Sequence, residues 1–345
     1  MITKSIGELT DLACKAFCGL GLQPDDAIDA ATILVLAERF GVVTHGLNRI
    51  PQYGERLAVG GINVSPTIRV SRPAQSLLVI DGDNGVGPLV GKRALDAAMK
   101  VATETGSCVA FVRGSNHFGP IFPYAHLAAE AGLASMVFSN ATTTIAPWGG
   151  RDARLGNNPM GFGVPGADGR HVILDIALSV AARAKIRRAA EQGETLPDGW
   201  ATDAEGRPTR DPQAALAGFL LPIGGHKGYG LSLIVDLFAG LLSGAAFLTH
   251  VRSWVVDPEM PQNLGHFMLL IDIARLRDSE RHATLMDDFS GIIHATPAAD
   301  PANPVRLPGE HEYALLRRTE AVGVQTQPQL IAQLEALAQI SGDEP

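Results

Sequence analysis

The sequence predicts an α/β protein with helical segments at both ends of the chain and a strand-rich middle. Three observations carry that expectation. Apolar residues recur at helical spacing through the N-terminal segment. Short apolar runs bounded by Gly, Asn and Asp then alternate with further helical stretches. After Pro308 the helical period returns and persists towards the C-terminus.

The elements follow in order. Leu9, Leu12, Ala13, Ala16, Phe17 and Leu20 share a helical face, and Gly19 and Gly21 stop the run. Asp25 or Asp26 is expected to cap a second helix through Ala30, Ile33, Leu34 and Ala37. A third is expected from near Thr44 over Ile50, Tyr53 and Leu57 to Gly60-Gly61. Residues 76–80 read as a strand and 81–85 as a turn. A helix over 92–105, a buried strand over 107–112, a helix over 124–131 and a strand over 134–138 follow. Residues 172–176 read as a strand running straight into a helix through Lys185, and the polar stretch 191–212 as a surface loop. A buried helix near 231–242 and a strand over 267–271 come next. Two helices close the chain, one after Pro308 and one over 330–337. No internal repeat or low-complexity tract is visible.

Composition narrows the class of function. A chain of 345 residues has room for one large domain or two interleaved ones. With 46% hydrophobic and 19% charged residues it is globular in balance. The net charge of −8 argues against a nucleic-acid partner, which needs a basic face. A small anionic substrate stays open, because one arginine decides that locally. Cys14, Cys18 and Cys108 form no Cys-x-x-Cys pair and no closed disulfide framework, so buried thiols in the reducing cytoplasm are expected. The N-terminus lacks the apolar core and cleavage site of a signal peptide. Residues 228–248 are almost wholly apolar and about bilayer length. Asp236 in mid-stretch and several glycines favour a buried helix over a membrane span. The ten histidines form no His-x-x-x-His pair and no Cys/His cluster, so no metal site is expected. There is no Gly-x-Ser-x-Gly elbow for a serine hydrolase.

One glycine-rich turn imitates a dinucleotide fingerprint. The strand ending at Ile80 is followed by Gly85-Val86-Gly87-Pro88-Leu89-Val90-Gly91 and a helix. A Rossmann site needs an acid at the end of the next strand, about 20 residues on. That strand ends Phe111-Val112-Arg113-Gly114, with no carboxylate. Several residues also separate the strand from the first glycine, where the fingerprint is tight. The glycines are therefore expected to serve turn geometry at positive φ.

Five segments could carry chemistry. In Thr44-His45-Gly46-Leu47-Asn48-Arg49, a helix would put His45 and Arg49 on one face. An imidazole there can donate a proton to a carbonyl oxygen, and an arginine fork can grip a carboxylate. Spacing alone favours the plainer reading of a capping Thr, an ordinary His and a surface Arg. Ser115-Asn116-His117-Phe118-Gly119 follows a strand, where active-site loops and plain turns both occur. The stretch from Trp148-Gly149-Gly150-Arg151 to Gly156-Asn157-Asn158-Pro159 could present backbone N–H groups to a ligand, or simply turn. The loop Gly224-Gly225-His226-Lys227-Gly228 feeds a helix N-terminus, a fair anion site that lacks Walker A spacing. Pro308-Gly309-Glu310-His311-Glu312 opens a helix with acids in its first turn, which dipole preference already explains.

Taken in order, these segments resemble the malate/L-lactate dehydrogenase family of the non-Rossmann type. Thr44 to Arg49 matches that family's Ser-His-Gly-Val-x-Arg, and Asn116-His117-Phe118-Gly119 its Asn-His-Phe-Gly. Ala146-Pro147-Trp148-Gly149-Gly150, Gly156-Asn157-Asn158-Pro159 and Asp175-Ile176-Ala177-Leu178-Ser179 match further motifs, as do the His226-Lys227 loop and the Gly309-Glu310 helix start. The resemblance implies a mixed-sheet, non-Rossmann cofactor domain over 76–309. A helical domain is implied from residues 1–75 with 310–345, in a homodimer. It implies His45 as proton donor, Thr44 beside it and Arg49 on the substrate carboxylate, with His117 lining the site or taking the acid/base role. Asn157 and Asn158 would face substrate. Asp175, Ile176, Ala177, Ser179, His226, Lys227, Gly309, Glu310 and His311 would hold NAD or NADP.

Three departures put the substrate in doubt. Thr44 replaces the usual serine, Ala184 stands within Arg183-Ala184-Lys185 where Arg-Gly-Lys is common, and Asn157 replaces a threonine. The expected reaction is interconversion of a small 2-oxo acid and its 2-hydroxy acid. Rivals are reduction of a cyclic C=N bond, ureidoglycolate- or sulfolactate-type oxidation, cofactor binding without catalysis, and carriage of an apolar ligand.

Overall fold

The computed structural model describes residues 1–340. The last five positions of the expected helical domain, 341–345, lie outside the described residues. The helices in chain order are α1 (Ile6–Gly19), α2 (Pro24–Arg39), α3 (Arg49–Ala58), α4 (Gly87–Thr105), α5 (Phe122–Glu130), α6 (Arg183–Gln192), α7 (Pro212–Ala217), α8 (His226–Val235), α9 (Ser279–His294), α10 (Glu310–Val322) and α11 (Pro328–Gln339).

Seven strands make the main sheet. They are β1 (Arg69–Ala74), β2 (Leu77–Asp81), β3 (Ser107–Ser115), β4 (Leu133–Ser139), β5 (Met160–Val164), β6 (Val172–Ile176) and β7 (Leu264–Asp272). Their spatial order is β1-β2-β3-β7-β4-β5-β6. Only β2 and β3 pair in parallel, joined by the crossover helix α4. Every other neighbouring pair is antiparallel, so the sheet is mixed. Alternation along β3 explains its two faces. Cys108, Ala110 and Val112 join α4 and α5 in one core, while Val109 and Phe111 turn to Phe267, Val235 and Ala239 on the other side.

The terminal helices pack together. Leu9, Ala13 and Phe17 of α1, Ala30 and Leu34 of α2, Ile50 and Tyr53 of α3, and Ile331 and Leu334 of α11 share one core. Val86 and Leu89, from the start of α4, belong to it as well. α10 packs through Tyr313 and Leu316 against Phe40, Phe122 and Ile173.

Several expectations are corrected by local geometry. Gln23, not an aspartate, precedes α2; Asp26 and Asp29 instead pair with Arg93 of α4 at 2.6 and 2.9 Å. The third helix is broken. Residues Val43–His45 form a 3-10 turn, Gly46 leaves helical geometry, and α3 starts at Arg49. His45 and Arg49 therefore do not share a helix face. The strand at 172–176 does not run into α6; residues 177–182 intervene. The polar loop holds a small hairpin pairing Ala201–Thr202 with Pro208–Thr209, followed by α7. The apolar run at 228–248 divides into α8 and a π-helical turn, Asp236–Leu241, and its outer leucines are exposed. Among the described residues no helix is long and apolar enough to cross a membrane.

The decoy glycines also prove to have a different role. Positive φ falls on Asp83 and Asn84 (50° and 56°), not on Gly85, Gly87 or Gly91. A Cβ on Gly87 would lie 2.1 Å from the His117 carbonyl oxygen and 2.4 Å from that of Asn116. The N-terminus of α4 is thus occupied by protein backbone, where a Rossmann site would place a pyrophosphate. Gly87→Ala is expected to lower stability by about 2–3 kcal/mol, because backbone rather than a flexible side chain must give way. Chemical denaturation measures this, and an unchanged midpoint would refute the close contact.

Candidate active site

Thr44, His45, Arg49, His117, Asn157, Asp175, Ala177, Gly309 and His311 line one cavity of about 790 Å³. Its His45 end is held from below by Glu38, the penultimate residue of α2. Glu38 Oε1 accepts the Leu47 N–H at 2.9 Å, and a Cβ on Gly46 would fall 2.5 Å from that same oxygen. Glycine at position 46 leaves Glu38 in place, and the Leu47 bond pins the His45 turn to α2. Burial raises the Glu38 carboxyl to about 7 against the opposing pull of the Leu47 bond.

Thr44 Oγ1 lies 2.9 Å from His45 Nδ1, leaving His45 Nε2 without a hydrogen-bond partner among the described residues. Burial, and then the Arg49 charge, push the His45 imidazole down to about 4. Arg49 Nε donates to the Thr44 carbonyl at 2.8 Å and Nη1 to Gln52 Oε1 at 2.6 Å. Nη2 has no partner among the described residues. The guanidinium carbon stands 5.4 Å from the Trp254 ring centroid, within cation–π range.

His117 is sandwiched. Its ring stacks on His45 at 5.5 Å and on Trp254 at 5.0 Å. The Tyr53 hydroxyl lies at hydrogen-bond distance from its Nδ1, 2.8 Å. Burial and then the neighbouring His45 hold its pKa far below the ordinary histidine range, so the ring is neutral. The Asn116 amide NH₂ donates to Gly85 O and to Asn84, which fixes the loop that presents His117.

At the far end, Asp175 Oδ2 accepts the Ile121 and Phe122 N–H groups, each at 2.9 Å, and so caps α5 across the fold. Burial raises its pKa to about 6 despite those bonds. Gly309 has φ +94° and lies against β6, where Ile173 N–H donates to Pro308 O at 3.1 Å.

The remaining candidates lie elsewhere. Ile176 ends β6, next in sequence to Asp175 and Ala177 of the cavity wall, and Ser179 is buried with a hydroxyl that has no partner among the described residues. Asn158 is fully buried; its amide donates to Ser232 O and accepts from Ala141 N–H, so it braces the loop. Glu310 binds His294 at 2.6 Å and lines a neighbouring cavity of about 590 Å³. His226 and Lys227 are exposed at the start of α8, outside both cavities.

Among the described residues one trio brings metal-ligating atoms within 4.8 Å of one another, His126, Glu130 and His171. Gly166 N–H donates to His171 Nδ1, so the ring proton is on Nε2, which donates to Glu130 at 2.8 Å. That tautomer turns no lone pair towards the trio, and hydrogen bonding accounts for the arrangement.

The family model described as malate/L-lactate dehydrogenase matches residues 5–335. The chain belongs to that family. It is 33% identical to (2R)-3-sulfolactate dehydrogenase (NADP(+)) of Chromohalobacter salexigens over 334 residues, 97% of each chain. It is 31% identical to ureidoglycolate dehydrogenase (NAD(+)) of Escherichia coli O157:H7, covering 92% of this chain and 90% of that one. The solved δ1-piperideine-2-carboxylate reductase of Pseudomonas syringae pvar. tomato is 31% identical with a TM-score of 0.86, covering 98% of this chain and 100% of that one.

Sequence reasoning missed Trp254, Gln262, Tyr53 and Glu38. Trp254 and Gln262 come from an irregular segment far along the chain, and no periodicity places them. Tyr53 and Glu38 read as helix-face residues. An acid seven residues before His45 was the one local signal available.

Glu38 allows a test by linkage. Its folded pKa, about 7, exceeds the unfolded value of 4.5. Its contribution to stability is complete below pH 4.5 and is lost as pH rises through 7. Glu38→Gln keeps the acceptor and removes the charge. The variant should match the parent near pH 4.5 and exceed it by about 2–3 kcal/mol at pH 8. A difference that does not grow with pH would contradict a buried, titrating Glu38.

Proposed function

We propose that this chain catalyses reversible hydride transfer between NAD or NADP and C2 of a small 2-hydroxy or 2-oxo acid, with His45 as the acid/base. One observation carries the reading. A neutral imidazole with a free Nε2 and an arginine with a free Nη2 open into the same cavity. In the oxidative direction Nε2 accepts the substrate hydroxyl proton while Thr44 Oγ1 accepts from Nδ1–H. In reduction the imidazolium returns that proton to the developing alkoxide. Arg49 binds the carboxylate, and the arriving negative charge raises the His45 pKa towards the donor range. A bound nicotinamide gives or takes the hydride. Asn157 contacts the substrate, and Asn158 and His117 support that wall.

The residues fit a dinucleotide. Among the described residues Thr144 Oγ1 and Ser179 Oγ are buried without partners, and Thr144 lines the cavity. Ligand hydroxyl or phosphate groups supply what these orphans lack. Asp175, Ala177, Gly309 and His311 hold the cofactor around β6, with Ile176 behind them and Glu310 turned to the neighbouring cavity. Ser179 forms a backbone β-bridge with Pro222, on the loop that leads to His226 and Lys227. We take the N-terminal segment up to residue 68 with the C-terminal helices as one domain and the rest to residue 309 as the cofactor domain, moving the expected boundary at 75 because β1 (Arg69–Ala74) is a strand of the main sheet; the cleft lies between them. Cytoplasmic placement rests on three unbonded cysteines.

Leu231, Ile234, Leu237, Leu241 and Leu242, 37–55% exposed, form an apolar face on α8 and the turn after it. We propose that a second copy covers this face in a homodimer. Light scattering should show a dimer for the parent and a monomer for Ile234→Glu/Leu241→Glu. A parent that is monomeric would end this proposal.

Activity is tested with a panel of 2-oxo acids and a cyclic imine, with NADH and NADPH scored separately. His45→Ala should lower kcat by about 10²–10⁴. In hydroxy-acid oxidation, kcat/KM should stay level down to about pH 5 and fall near pH 4, where His45 protonates. If His117→Ala is crippled while His45→Ala is not, the proton passes through His117 instead.

A further inference from the structure

Arg56, in the last turn of α3, is 2% exposed and has no carboxylate within ion-pair distance among the described residues. A buried cation without a counter-charge is costly unless its donors are satisfied. Burial does lower its guanidinium, to about 10. Its donors are fully engaged, all with uncharged oxygens. Nη1 donates to Asn116 Oδ1 at 2.6 Å and to Gln262 Oε1 at 3.3 Å. Nη2 donates to Gly61 O and Met260 O, each at 2.8 Å, and Nε to Pro258 O at 3.2 Å.

Those acceptors come from three stretches: the end of α3, the loop that presents His117, and a strap over residues 252–262. The strap contains no helix or strand. Its two ends are tied together where Gln262 Nε2 donates to Arg252 O at 3.3 Å. Its outward side is loosely rooted, with Val255 and Val256 77% and 76% exposed. Its inward side reaches the cavity twice. The Trp254 ring covers both His117 and Arg49, and Gln262 Oε1 accepts the His117 N–H at 3.4 Å. Gly61 gives the strap its seat, since a Cβ there would fall 1.9 Å from Pro258 O.

We propose that Arg56 is a positioning residue for substrate-acid recognition, pinning the 252–262 strap so that Trp254 and Gln262 complete the wall around Arg49 and His117. The proposal rests on the oxo-acid reading above and adds a specificity element to it. Arginine is required because its planar fork reaches three segments at once; a lysine ammonium has three donors at one point. The dinucleotide end of the cavity, around Asp175 and Gly309, lies outside this network.

Two variants test it, Arg56→Lys and Gly61→Ala; the second keeps the arginine and dislodges the strap at Pro258 O, its Cβ also falling 3.1 Å from Arg56 Nη2. Each is measured by hydrogen–deuterium exchange, by steady-state kinetics with the preferred 2-oxo acid, and by NADH or NADPH fluorescence titration. Exchange within 252–262 should quicken by about tenfold or more in both. KM for the acid should rise by about tenfold or more, with the dinucleotide Kd within about twofold. Strap exchange as slow as in the parent would overturn the proposal. So would exchange that rises evenly along the chain while acid KM and dinucleotide Kd worsen together, since that marks general structural support. If Arg56→Lys does not fold, Gly61→Ala decides alone. If the parent turns over no acid or imine, the oxo-acid reading fails, and the exchange data still decide whether Arg56 holds the strap.

Discussion

The site depends on a steric constraint at position 87, where there is no room for a side chain. Gly87 lets the first turn of α4 lie directly on the carbonyl groups of Asn116 and His117. That same turn sends Val86 and Leu89 into the core of the terminal helices. The rest of α4 covers the β2–β3 pair. Helical layer, sheet and His117 loop are therefore registered against one another at one junction. Asn116 reinforces it by donating to Asn84 and Gly85 on the approach to the helix. Arg56 reaches the same asparagine from α3. The placement of His117 against His45 follows from this junction as much as from either motif.

Desolvation dominates the electrostatics of the cavity. It is the first cause of the lowered His45 and His117 values and of the raised Glu38 and Asp175 values. Burial favours the neutral form of every one of these groups. Arg49, Arg183 and Arg306 line the cavity alongside Asp175 and Glu312, and an anionic ligand is the natural complement to the arginines.

Much of the secondary structure was legible because the periodicities are strong. The strand at 107–112 and the helices over 9–20 and 330–337 all carry unambiguous patterns. The broken helix at Gly46 was not legible, because its cause is Glu38, a side chain that arrives from α2. The apolar run at 228–248 was misread as buried since hydrophobicity does not reveal which face meets solvent. The segment motifs brought His45, Arg49, His117, Asp175 and Gly309 together in one cavity, although spacing alone favoured the bland reading for each. What spacing could not supply was the tertiary framing, Trp254 and Gln262 on a strap held by an arginine 200 or so residues earlier.

The position of β7 has a consequence for biosynthesis. It is the middle strand of the sheet, yet it is the last of the seven to be made, at Leu264–Asp272. Until it emerges from the ribosome, β1-β2-β3 and β4-β5-β6 are separate three-stranded pieces, each with an open edge. A chain stalled before residue 264 presents both edges at once, and the bonds that join the halves are all long-range. The nascent protein must therefore keep two adhesive edges apart from the completion of β4 at Ser139 until Leu264 is made, a demand that the finished sheet no longer shows.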